Sequence, residues 1–148
     1  MTVPHSVREL EDLLQSVPGR LADISDAAAA KPRAPGKWSR KQVLGHLIDS
    51  ASNNHQRFVR ASLQGKLEFP PYEQNGWVGV QAYADAPWEG LIRLWEAYNR
   101  HLAWIMKRIP ADRLGAPCVV EETKPVTLGF LMTDYVVHLK HHLSQILA

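Results

Sequence analysis

Residues 36 to 58 read GKWSRKQVLGHLIDSASNNHQRF. Their first half spells out a helix start. Ser39 and Gln42 stand at capping-box spacing, in which a serine hydroxyl and a glutamine amide satisfy orphan N–H groups of the first turn. Trp38 and Val43 flank them as a hydrophobic staple. The helix so opened is expected to run from Ser39 to Leu63. Its buried stripe begins with Val43 and Leu47 and then departs from what a bundle helix needs. His46, Ser50, Asn53 or Asn54, and Arg57 fall on that stripe. A face that should be apolar turns polar over three turns.

A second anomaly lies at the other end, where residues 134 to 147 read DYVVHLKHHLSQIL. Leu128, Leu131, Tyr135, His138, His142 and Gln145 or Ile146 step by three and four, a helical stripe. Val136, Leu139, Leu143 and Ile146 form a neighbouring stripe. Thr133, Asp134, Lys140, His141 and Ser144 are left for the outside. His138 and His142 therefore lie on the edge of the buried face, and His141 nearer solvent. Side chains four residues apart rise about 6 Å along the axis and can converge on one ion. His46, about two turns inside its own helix, supplies a third imidazole. Three protein ligands leave a coordination position for water or substrate, which distinguishes catalytic from structural ions. A lone histidine on a half-apolar face is more often a hydrogen-bonded boundary residue. It is the combination with the polar stripe that points to a metal.

The remaining chain is punctuated clearly. Ser6 and Glu9 form another capping-box pattern, opening a short helix with Val7, Leu10, Leu13 and Leu14. Pro18-Gly19 is expected to interrupt it, with a second piece from Leu21 into the alanine run. KPRAPGKW, residues 31 to 38, is a loop. EFPPYEQNGW, residues 68 to 77, reads as a rigid crossover connector. A helix from Pro87 to Ile109 carries a seam of Leu91, Leu94 or Trp95, Tyr98, Leu102, Ile105 and Ile109, and Pro110 ends it. Between 111 and 126 a short hairpin is expected, with CVVE and PVTL as strands and a turn at 122–124; Thr127 then caps the last helix. Four principal helices with long connections make an all-α four-helix bundle, not a simple up-and-down one.

The bulk numbers set the frame. At 148 residues the chain is expected to form one domain over residues 1–148. A formal net charge of +2 without a block of like charge gives no footprint for nucleic acid. No stretch reaches the roughly 18 apolar residues of a membrane span, and the start lacks a signal-peptide pattern. The single cysteine, Cys118, excludes an internal disulfide and fits a reducing compartment. A cytoplasmic location is the expectation.

These segments also carry a family likeness. GKWSRKQVLGHLIDSASNNHQRF, the PPYEQNGW connector and the terminal HLKHHLSQI resemble the DinB/YfiT-like superfamily of metal-binding four-helix bundles, over a span from about Leu10 to the end. The resemblance implies His46, His138 and His142 as ligands of a divalent ion, zinc or nickel, the same three that periodicity selects. It implies a metal-dependent hydrolase, a label resting on the look of the site, or an S-transferase or isomerase using bacillithiol, mycothiol or glutathione. In either case the ion would lower the pKa of a water or a thiol. A non-catalytic metal-binding stress or interaction protein is the alternative.

Around such a site, Asn53, Asn54, Arg57 and Tyr72 are the expected substrate-binding residues. Arg57 is a candidate clamp for a carboxylate on the substrate or thiol, with a plain salt bridge as its competing role. Asp49, three residues after His46, could orient a ligand histidine or be an exposed helix residue. Tyr72, Glu73 and Trp77 could form a lid or simply pack the loop. Trp88, Trp95 and Trp104 are expected in the core, and His5, His55 and His101 at the surface or boundary. Cys118 is expected in a loop and not as a nucleophile. A small-molecule substrate and a homodimer complete the expectations.

Overall fold

The start at Ser39 forms as written. In the structure, a computed structural model that describes residues 4–121 and 124–148, Ser39 Oγ accepts from the Gln42 N–H at 3.2 Å, and the Gln42 side chain returns a bond to Ser39 N–H at 2.9 Å. Gly65 ends the same helix in the left-handed conformation (φ 75°), the geometry a Cβ disfavours. This helix is α3, Arg40–Gln64. The other elements are α1 (His5–Ala22), α2 (Asp26–Ala30), β1 (Leu67–Glu68), α4 (Gln74–Val80), α5 (Trp88–Arg108), β2 (Pro117–Val119), β3 (Val126–Thr127) and α6 (Leu128–Leu147). Short 3-10 turns lie at Tyr83–Asp85 and Ala111–Arg113.

The four long helices make the bundle. α1 packs on α5 and α6, and α3 packs on the same two. Around the bundle the order is therefore α1–α5–α3–α6, so the consecutive pairs α1/α3 and α5/α6 sit diagonally. Diagonal neighbours cannot be joined by a tight turn, so these two connections are long; the α3–α5 connection joins adjacent helices and is long because it carries β1 and α4. α2 fills the first crossover and clips three elements. Asp26 Oδ2 receives Lys41 Nζ of α3 at 3.1 Å, while its Oδ1 accepts the Trp88 N–H that opens α5 at 2.9 Å. These two contacts hold the Asp26 carboxyl below its usual range, the Trp88 amide more than Lys41.

α3 and α6 run antiparallel. Arg40 Nε donates to the Ile146 carbonyl at 2.8 Å, and further along Phe58 meets Tyr135 edge-on. That register brings His46 opposite His142 and His138. The second and third crossovers meet in a small sheet of order β1-β2-β3, with β1 parallel and β3 antiparallel to β2.

Several local expectations are corrected. Pro18 does not interrupt α1, which continues through it to Ala22. Leu10, Leu14, Val17 and Leu21 form an unbroken buried stripe across the proline, and the Leu14 carbonyl that Pro18 cannot serve is reached by Arg100 Nη2 at 3.4 Å. No capping box forms at Ser6, because the helix begins at His5 with Pro4 as its cap, and Ser6 is buried within it. The expected rigid connector is helical in its second part, as α4. Cys118 sits on β2, fully buried, rather than in a loop, and burial raises its thiol pKa. Trp104 is exposed, with the Arg108 guanidinium stacked 3.3 Å from its ring centroid. At the α5 seam Trp95 is buried and Leu94 exposed. β2 and β3 form the expected hairpin; Glu122 and Thr123 of its turn lie outside the described residues. Among the described residues, no helix is long and apolar enough to cross a membrane.

Candidate metal centre

Three imidazoles converge where α3 crosses α6. One nitrogen from each of His46, His138 and His142 lies within 4.8 Å of the other two, and this is the only such group of three potential ligands among the described residues. His138 Nε2 and His142 Nε2 are 3.1 Å apart. Two imidazole nitrogens that close either share a proton or face a common cation. Two ligands at about 2.0–2.1 Å from one ion stand roughly 2.9–3.3 Å apart, depending on the coordination angle, so the spacing fits a cation. The His46 ring lies 5.3 Å from the His138 ring and 4.9 Å from the His142 ring.

The surroundings prepare these rings as ligands. Gln145 Oε1 is 2.9 Å from His142 Nδ1. A carbonyl oxygen only accepts, so Nδ1 carries the proton and Nε2 presents its lone pair. His46 is 1% exposed and its Nδ1 is buried with no hydrogen-bond partner. Burial, then the neighbouring His142 and His138, lower its pKa to about 4. Burial likewise lowers the pKa of His138 and of His142. Neutral imidazoles are the form that binds metals. Trp38, just ahead of α3, is half-buried with its ring 5.3 Å from that of His46. His141 is exposed and belongs to no such group. The residues therefore fit a divalent cation, and an all-imidazole set suits zinc, nickel, copper or iron better than magnesium or calcium.

A cavity of about 320 Å³ reaches the cluster at His138. Asn54, Arg57 and Tyr72, all expected at the site, lie on its wall. Asn53 does not: it is buried, and its amide donates to the Asp49 carbonyl at 2.9 Å. Asp49 is 2% exposed, and its Oδ1 accepts from Gln81 Nε2 and from the Tyr83 hydroxyl, both at 2.8 Å. Its recorded partners are thus Gln81 and Tyr83 rather than a histidine, and burial raises its carboxyl pKa. Gly45 permits this arrangement, because a Cβ there would lie 2.2 Å from the Tyr83 ring. Tyr72 packs on Trp77 and, through burial, has its pKa raised to about 12, so its hydroxyl stays a donor.

Sequence reasoning missed Glu121 and Asp134, which also line the cavity. Asp134 is exposed, as its place on the outer stripe predicts, and it lines the cavity because it precedes His138 by one helical turn. Glu121 lies in the irregular stretch, where periodicity says nothing. A second histidine pair, His55 and His101, has rings 5.3 Å apart, but His55 Nδ1 is 2.8 Å from the Tyr98 hydroxyl and no third ligand joins it.

Comparison with known proteins places the fold. A protein of Oceanobacillus iheyensis, provisionally named a metal-dependent hydrolase, is 24% identical over 140 residues, 95% of this chain and 81% of its own. YfiT of Bacillus subtilis, described as a four-helix bundle of unusual topology, superposes with a TM-score of 0.82 at 22% identity, covering 99% of this chain and 86% of YfiT. A mycothiol-dependent maleylpyruvate isomerase superposes with a TM-score of 0.79 at 10% identity, covering 99% of this chain and 61% of the isomerase. The model of the DinB superfamily matches residues 9–146, and the chain belongs to that family.

Proposed function

We propose that the chain is a divalent-metal-dependent enzyme acting on a small molecule, either a hydrolase or a transferase that uses a low-molecular-weight thiol. The observation that carries this reading is the meeting of three convergent, neutral imidazoles with a cavity open at His138. His46, His138 and His142 would hold the ion, and zinc or nickel suits them. When bound, such an ion supplies Lewis acidity and lowers the pKa of a water or thiol beside it. The chain's own groups do the rest. Gln145 fixes the His142 tautomer, Trp38 packs beside the His46 ring, and Arg57 and the Tyr72 hydroxyl anchor polar groups of the substrate from the cavity wall. The names of relatives support metal dependence, and the mycothiol-dependent neighbour supports a thiol as co-substrate.

The test is an assay of the metal-loaded protein with bacillithiol, mycothiol and glutathione against a generic electrophile, and separately with ester and amide substrates. Turnover in one of the two sets, abolished by metal removal and by His138→Ala, is the expected result. A flat response across both sets would leave a non-catalytic metal-binding protein.

A further inference from the structure

The cavity beside His138 presents three charged side chains that form no ion pair with one another. Arg57 is half-buried, its guanidinium lies over the Phe69 ring at 5.4 Å, and its buried Nε has no hydrogen-bond partner. Glu121 and Asp134 line the same cavity. Among the described residues Arg57 makes no ion pair within 4.0 Å, and neither acid has one. Burial lowers the pKa of Arg57, while Tyr72, Glu121 and Asp134 oppose that effect, so all three belong to its electrostatic surroundings. A buried guanidinium nitrogen without a partner is costly, and a simple cavity wall gives no reason to keep one beside two acids it does not touch. A bare anion would satisfy Arg57 but meet two like charges. A bare cation would satisfy the acids and leave Arg57 unpaired.

We infer that this cavity binds a zwitterion, a small molecule whose carboxylate is held by Arg57 and whose protonated amine is held by Glu121 and Asp134. The inference rests on the proposed function in one respect only, that the cavity is where substrate or co-substrate enters. An amino-acid unit has the two charges close enough to fit a cavity at the small end of ligand sites. Arg57 offers a planar fork suited to a carboxylate, with one face fixed by Phe69.

The test is an NMR titration of the zinc-loaded protein with two probe series. One is L-cysteine, N-acetyl-L-cysteine and cysteamine; the other is L-serine, N-acetyl-L-serine and ethanolamine, which lacks the thiol throughout. The intact zwitterion is expected to bind roughly tenfold more tightly than either partner missing one charge, about 1.4 kcal/mol. Arg57→Gln should abolish the preference over the carboxylate-free amine and keep the preference over the acetylated acid. Glu121→Gln with Asp134→Asn, both at exposed positions, should do the reverse. Equal binding of all three members in either series, or no binding of any probe at millimolar concentration, overturns the inference. Thiol or ester turnover without the charge preference would leave the proposed function standing and remove the zwitterion. The preference in the serine series without turnover would do the opposite.

Discussion

α3 and α5 are neighbouring long helices of the same bundle, yet they treat their inner faces in opposite ways. α5 buries Leu91, Trp95, Leu102 and Met106, and interrupts them only with Asn99. Asn99 is fully provided for: its amide donates to the Trp95 carbonyl at 2.9 Å, and its oxygen accepts from the Tyr135 hydroxyl at 2.5 Å. α3 instead buries His46, Asp49, Ser50, Asn53 and Asn54. Asn53 and Asn54 bond back to the carbonyls one turn earlier, but His46 Nδ1, Asp49 Oδ2 and Arg57 Nε have no partner. Of the four such buried side-chain atoms among the described residues, three are on α3, and α5 has only Trp95 Nε1. Most buried polar groups of α5 are satisfied within the fold, and the unsatisfied ones concentrate on α3. Of those left over, His46 Nδ1 belongs to the histidine cluster and Arg57 Nε to a residue of the cavity wall, whereas Asp49 Oδ2 and Trp95 Nε1 lie at neither.

The contrast can be broken at either helix. Leu102→Ala on α5 should destabilise the protein by about 2–5 kcal/mol, read from urea unfolding, without changing metal bound per folded chain. If it reduced metal binding as well, the two faces would not be separable. Gly45→Ala on α3 should cost about 1–3 kcal/mol, because the Tyr83 ring must move away and carry its bond to Asp49 with it. An unchanged unfolding midpoint would show that Tyr83 is not fixed by that contact. Gln145→Ala should weaken metal binding about 10–100-fold by freeing the His142 tautomer, with little loss of stability, as a competition titration would show.

The last effect is graded and depends on pH. The folded protein refuses a proton at His46 until about pH 4, whereas the unfolded chain takes one near the ordinary value of 6.5. Stability of the metal-free protein is therefore full above that value and declines as pH falls through the window between them. Urea midpoints that stay level or rise on acidification across this window would contradict the burial of a neutral His46.

Much of this was legible in the sequence. The capping box at Ser39, the polar stripe after it and the spacing of His138 and His142 follow from local rules, and local rules hold where the helix is regular. The failures share a cause. Pro18 and Ser6 give strong local signals, but the buried stripe of α1 and the long-range bond from Arg100 override them. Trp104 has the spacing of a core residue, yet it stands exposed under Arg108, a choice set by which helix lies opposite. The partners of Asp49 come from Gln81 and Tyr83, in a crossover whose path no periodicity encodes. The same holds for Glu121.

The central claim is that the three histidines form one cation site, and metal titration of tag-free protein tests it most directly. The account predicts one divalent ion per chain in the wild type, and loss of that stoichiometric binding in His46→Ala, with the helical fold retained. A wild type that takes up no stoichiometric ion, or a His46→Ala variant that binds as tightly as wild type, would contradict it.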